Sequence, residues 1–228
     1  NSVFIEILSK VFKKKSIRSI INYPIIIIGS KELILSQNKS LNQKLIFEEI
    51  KNEIPDIKKL KKKIYLINIK YNFTKTFDKI SSRSKSYIDE CFKVAIKFLN
   101  YGISDKLING PISKKHFLTK RYPGITEYIF YKSNRKISKN PVMLLFNKNL
   151  TISPLTTHVP IKKISRIISQ KLILNNVKTI NSFFNNKFKI NPKIAILGLN
   201  PHCETKSKFN EENLIIKPAV KKLKKMKI

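Results

Sequence analysis

Glycine is scarce. The 228 residues hold five, and none lies in a G-x-G-x-x-G run, so a dinucleotide bound by this chain does not sit on a Rossmann phosphate loop. Cysteine is rarer still. Cys91 and Cys203 form no C-x-x-C pair and stand far apart, which excludes a zinc knuckle and a disulfide framework and fits a reducing cytoplasm. Cys91 falls on the apolar side of a helical pattern and reads as a core residue, whereas Cys203 reads either as an incidental neighbour of His202 or as a contact to a metal. No apolar stretch approaches the ~20 residues of a membrane span, and the start is not a signal peptide. Acidic residues are few as well: 14 Asp+Glu against 47 Lys+Arg leave a formal charge of +33.

That charge is of the size that nucleic-acid or anionic-membrane binding produces. Here it accompanies an excess of isoleucine and asparagine, the signature of AT-rich coding, and it is spread along the chain. The lysine-rich runs at 13–15, 58–63 and 221–227 lie on or beside helical patterns and read as solvated faces. Aromatic residues are not interleaved with them as a stacking platform needs. The sequence thus argues against a specific nucleic-acid partner, although a basic nucleic-acid-binding protein stays as an alternative.

What the chain does have is a globular balance, with 42% hydrophobic and 27% charged residues, at a length that suits one large or two small domains. Phe4, Leu8, Val11 and Phe12 recur at helical spacing. Tyr23 to Gly29, with four consecutive isoleucines, reads as a buried strand, and a short helix follows from Lys31. Residues 38–55 are polar and ambiguous, and Lys63 to Tyr71 alternates as a strand. Ser84 to Tyr101 is the clearest helix, with Tyr87, Cys91, Ala95 and Leu99 on one face and Gly102 at its end. A short strand is expected at Lys106–Ile108, a hairpin from Pro141–Phe146 and Thr151–Leu155 around residues 147–149, and one long helix from Ile161 to about Phe184. Lys193–Leu199 reads as a buried strand and Glu211–Leu223 as a final helix. Strands alternate with helices, so the fold class is α/β with a mixed or mostly parallel sheet. The chain opens on Asn1 rather than methionine and closes on what looks like the start of a strand, so a piece of a longer protein is expected.

Two of the three histidines occupy matching places. His202 follows the apolar run 194–199 and the pair Asn200-Pro201, which cannot continue a ladder. His158 follows Ile152 to Thr157 and precedes Pro160. Neutral imidazole is a common metal ligand, and α/β proteins build sites in loops at strand ends, so the pair reads either as two arms of one metal site or as two solvated loop histidines. A catalytic zinc usually takes three protein ligands, one more than this pair. Asn109-Gly110-Pro111-Ile112-Ser113-Lys114-Lys115 turns a strand into a helix start with free N–H groups and a cation, which suits an anion or is an ordinary turn. His116 reads as a surface residue.

Four stretches in this order, Asn109-Gly110-Pro111-Ile112-Ser113-Lys114, Pro123-Gly124-Ile125-Thr126-Glu127, Thr156-Thr157-His158-Val159-Pro160 and Gly198-Leu199-Asn200-Pro201-His202, resemble the signature segments of the 4-hydroxythreonine-4-phosphate dehydrogenase family of vitamin B6 synthesis. Asn1-Ser2-Val3 resembles the tail of that family's opening loop. The resemblance implies an architecture similar to isocitrate and isopropylmalate dehydrogenases: two α/β domains, here 1–119 lacking its N-terminal strand and 120–228 lacking its C-terminal part, with a cleft between them. It implies a cytoplasmic homodimer with the active site near the subunit interface, and a dinucleotide bound without a G-x-G-x-x-G loop.

By the same resemblance His158 and His202 match two of three metal-binding histidines, the third lying in a Tyr-His-Asp-Gln segment beyond residue 228. Thr126 matches a substrate-contacting threonine, and Lys114 is a candidate for the substrate phosphate. The family usually has histidine before that threonine, where this chain has Ile125, a side chain that neither donates a hydrogen bond nor carries a proton. The activity implied is NAD-dependent oxidation of 4-phosphooxy-L-threonine with a divalent metal (zinc, magnesium or cobalt), followed by decarboxylation to 1-amino-3-phosphooxypropan-2-one. Ile125 keeps a second reading open, a related dehydrogenase of another phosphorylated hydroxy acid. With a ligand outside it, the 228-residue piece is expected to be inactive alone.

Overall fold

The structure is a computed structural model that describes residues 3–14, 22–50, 56, 59–118, 122–133, 141–147, 149–199, 202, 207 and 210–228. The chain divides into two compact units, Asn1–Arg135 and Lys136–Ile228.

The first unit is built on three parallel strands, β1 (Ile25–Gly29), β2 (Glu48–Glu49) and β3 (Ile64–Asn68), in the order β1-β3-β2. Helix α1 (Phe4–Lys13) precedes β1, and α2 (Lys31–Ser40) follows it. Both cover one face of the sheet, because Ile5 and Phe12 of α1 and Ile34 of α2 pack with Ile27 and Leu66, which are paired across the ladder. The four-isoleucine run therefore does what a strand buried in a parallel sheet requires. Its C-terminal end is held closely. The Ser30 N–H donates to the Tyr87 hydroxyl at 2.9 Å, and the Ser30 side chain caps α2 by accepting the Leu33 N–H. Tyr87 lies on α3 (Lys85–Asn100); this helix ends before Gly102 at φ +69°, a left-handed turn that glycine takes without strain.

The next elements are short. Helix α4 (Lys114–Phe117) has four residues and α5 (Ile125–Lys132) eight. Phe92 and Ile96 of α3, Phe117 of α4 and Tyr128 of α5 form one buried cluster. Its rings meet at centroid distances of 5.1 to 5.7 Å, a spacing at which aromatic pairs attract. This packing places α5 with the first unit, whereas the sequence-based boundary at 119/120 put it with the second.

In the second unit β4 (Leu145–Phe146) and β5 (Thr151–Ile152) form the expected antiparallel hairpin, with shorter strands. The single helix expected from Ile161 is two, α6 (Ile161–Ile167) and α7 (Gln170–Phe188). Ile168 is extended and Ser169 starts α7 afresh by accepting the Leu172 N–H. A π-helical turn, Glu212–Ile216, runs into α8 (Lys217–Lys225). The core is Ile168, Ile173, Val177, Ala219 and Leu223, against which Leu155, Ile194 and Ile196 pack.

Two expected strands are not strands among the described residues. Lys106–Ile108 and Lys193–Leu199 carry no ladder. The second still alternates, with Ile194 and Ile196 turned to the core and Leu197 82% exposed: the side-chain pattern of a strand is present, and a neighbour to bond with is not. No described helix is long and apolar enough to cross a membrane.

Candidate metal and substrate site

The two candidate metal ligands belong to the second unit. His158 stands in the connection from β5 to α6, exposed, with φ +57°. A non-glycine residue in that region is uncommon, although histidine is among the side chains that tolerate it, and such conformations gather at functional positions. His202 is exposed in the connection that follows the extended segment 193–199. Leu155, just before His158, and Ile196, just before the His202 turn, rest on the same apolar cluster, so one core supports both approaches. Residues 200–201 and 203–206 lie outside the described residues, and with them the expected turn at Asn200-Pro201 and the reading of Cys203.

Hydrogen-bonded to Leu199 is a residue that sequence reasoning missed. Glu212 is 4% exposed, and its Oε1 accepts the Leu199 N–H at 3.2 Å. Its Oε2 is buried without a hydrogen-bond partner among the described residues. The sequence placed Glu212 in a helix and carried no sign that it would be buried. Among the described residues no three His, Cys, Asp or Glu side chains converge as a metal-binding group. Two neutral imidazoles are suitable donors for a borderline cation, but they fall one short of a usual zinc donor set. The residues present fit a partial site.

The substrate candidates are in the first unit. Thr126 is the second residue of α5, with an exposed side chain. Ile125 before it packs against the Phe92–Tyr128 cluster, so here the position serves the core. Gly124, the N-cap, lies under the side chain of Glu127: a Cβ there would come within 2.5 Å of Glu127 Oε2. Lys114 is exposed at the start of α4. With four residues, that helix offers one turn of N–H groups, and the Ser113 side chain turns to His116 Nδ1, 2.8 Å away, instead of capping it. Gly110 meets α1, since a Cβ at this position would stand 2.7 Å from Phe4 Cγ. Cys91 is half-buried beside Tyr87, and burial pushes its thiol up to about 11; it stays protonated at neutral pH and is unreactive.

A family profile described as "Pyridoxal phosphate biosynthetic protein PdxA" matches residues 21–228. The chain belongs to this family. It is 36% identical over 223 residues to a 4-hydroxythreonine-4-phosphate dehydrogenase of Sulfurihydrogenibium sp. (strain YO3AOP1), a match covering 96% of this chain and 66% of that protein. With the enzyme of the same description from Aquifex aeolicus (strain VF5) it shares 29% over 222 residues, covering 96% and 65%. The chain thus spans about two thirds of the length of these curated relatives. Its fold is similar to solved structures of 4-hydroxythreonine-4-phosphate dehydrogenases from Burkholderia phymatum (TM-score 0.77, 22% identity, 99% of this chain and 68% of that one) and Klebsiella pneumoniae (0.78, 18%, 100% and 68%). These neighbours support the α/β class with its parallel sheet.

Proposed function

We propose that the protein containing this PdxA-family chain oxidises 4-phosphooxy-L-threonine with NAD and a divalent metal, and that the oxidised acid then loses carbon dioxide to give 1-amino-3-phosphooxypropan-2-one, in vitamin B6 synthesis. The observation that carries the reading is the pair of imidazoles, His158 and His202, on two connections whose approaches pack on one core, inside motifs that resemble those of a family to which the chain belongs and whose relatives bear that name.

In this reading His158 and His202 hold the metal as neutral donors, joined by a histidine outside residues 1–228. When bound, the cation supplies Lewis acidity toward the substrate oxygens. The Thr126 hydroxyl, exposed at the start of α5, offers a donor and an acceptor to the substrate, and the Lys114 ammonium a charge to its phosphate. Ile125 contributes packing and leaves the proton handling of that position to other groups. The protein works in the cytoplasm as a homodimer, with α/β domains of the isocitrate dehydrogenase type and the active site near the subunit interface. Because Ile125 is engaged in the core, a second reading has support: the substrate is another phosphorylated hydroxy acid.

The test is NADH formation by the full-length protein from 4-phosphooxy-threonine, NAD and a divalent metal, with a chelator control and with metal content measured in His158→Ala and His202→Ala. Turnover lost to the chelator, together with a fall of at least ~10-fold in metal affinity in each variant, is the expected result. Unchanged metal content and turnover in both variants would remove the ligand assignment. Metal binding without turnover on this substrate moves the reading to other phosphorylated hydroxy acids.

A further inference from the structure

The strongest unexplained feature is the Glu212 carboxylate. A carboxylate 4% exposed loses much of its hydration, and burying a charge costs several kcal/mol, by order of magnitude, unless it is paired and hydrogen-bonded. In return Glu212 takes one N–H, from Leu199 at 3.2 Å, and its second oxygen takes nothing among the described residues. A leucine or methionine of similar volume would serve packing as well or better. The stability of the unit therefore does not account for this side chain.

Its placement does. Leu199 belongs to the segment that leads directly to His202, and Glu212 opens the π-helical turn Glu212–Ile216, a backbone form that recurs at functional sites. The turn is itself tied down: Asn210 Oδ1 accepts the Asn213 N–H at 2.8 Å, and Asn210 Nδ2 donates to the Ser207 carbonyl at 2.7 Å. The turn thus sets the Glu212 carboxyl, one oxygen of it without a hydrogen-bond partner among the described residues, against Leu199, three positions before His202. Because no three acidic, histidine or cysteine side chains converge among the described residues, the geometry does not make Glu212 a third ligand. A carboxylate supporting a metal-binding histidine from behind is a recurrent arrangement.

We infer that Glu212 is a positioning residue of the His202 arm, fixing the approach to that histidine through the Leu199 N–H and lending a buried negative charge to a divalent cation held there. The inference rests on the metal reading above. It assigns Oε1 the geometric part and Oε2 the electrostatic part, so the two parts separate on substitution.

The experiment titrates the full-length protein with Co(II), reading its visible absorption, for wild type, His202→Ala, Glu212→Gln and Glu212→Leu, with thermal melting of each metal-free protein alongside. Gln keeps an oxygen for Leu199 and loses the charge; Leu loses both. The expected order is wild type, then E212Q at ~10-fold weaker binding, then E212L at ~100-fold weaker, the range found when support of a metal ligand is removed, with the metal-free E212L protein melting no lower than wild type. Equal affinities in wild type and both Glu212 variants overturn the inference, as does an affinity loss matched by loss of the metal-free fold. His202→Ala reads the metal assignment separately: if it binds Co(II) like wild type, the ligand set is wrong whatever Glu212 does.

Discussion

The Tyr128 hydroxyl donates to the Asp89 carboxylate and ties α5 to α3. Tyr128 is 5% exposed in the aromatic cluster, where burial and the adjacent carboxylate push its own ionisation up. For Asp89 burial is the largest influence and works against its charge; the hydrogen bonds from Tyr128 and Lys93 and the charge of Lys132 outweigh it, so the carboxyl ionises below its ordinary range. A depressed acid of this kind adds stability above its unfolded pKa of about 3.9, and that stability is lost as pH falls through the lower folded value. Tyr128→Phe should cost about 1.5 to 3 kcal/mol near neutral pH, since the bond is to a charged group. It should also flatten the acid limb below about pH 4. Urea midpoints of both proteins across that range check it, and parallel acid limbs would show that Asp89 takes its support from Lys93 and Lys132 alone. Because α5 begins with Ile125 and Thr126, this bond helps the aromatic cluster to hold the helix that carries Thr126.

Elements differed in how far the sequence disclosed them, and the difference is physical. Helix α3 was legible because its contacts repeat every three to four residues within itself, and β1 because four isoleucines in a row suit little else. Segments 106–108 and 193–199 carry strand-like residues, but a strand needs a neighbour, which no local pattern supplies. Beside the first of them, an apolar cavity of about 1710 Å³ runs along β1, with each of Ile25 to Gly29 on its wall. The break between α6 and α7 was present in the sequence as Ser169, an N-cap residue before an apolar run, and was hidden by continuous amphipathic spacing on either side. Ser169→Ala removes the acceptor for Leu172 N–H and should cost about 1 kcal/mol, seen as a lower melting temperature with faster exchange of the Leu172 amide. An unchanged melt would mean that Ile168 and Ile173 packing, and not the cap, sets where α7 starts. For the candidate site, the motifs singled out the two histidines as candidates, whereas the left-handed backbone of His158 and the burial of Glu212 depend on the folded connections.

For the whole molecule the dominant quantity is the formal charge of +33. Lys31 pairs with Glu49 at 2.7 Å and Lys63 with Glu48 at 3.2 Å through side chains that are 32% to 60% exposed, and pairs of that kind contribute at most about 1 kcal/mol each. Most lysines thus repel one another without compensation, and compaction works against that repulsion. Added salt shortens the screening length from about 10 Å at 0.1 M to about 3 Å at 1 M, so it should stabilise this chain, where a balanced protein would be nearly indifferent. A gain of about 1 to 2 kcal/mol would raise the melting temperature by about 2 to 8 °C at this size. Sodium chloride is the right titrant, because an anion that binds a specific site would saturate early whereas screening continues. The same series separates the enzyme from a nucleic-acid binder. Charge spread along the whole chain gives duplex DNA only a diffuse contact, whose affinity should fall steeply and without sequence preference as salt rises. A melting temperature that drops with salt would show the lysines to be organised into stabilising pairs, and sequence-selective DNA binding that persists at physiological salt would show that the charge is built for a partner.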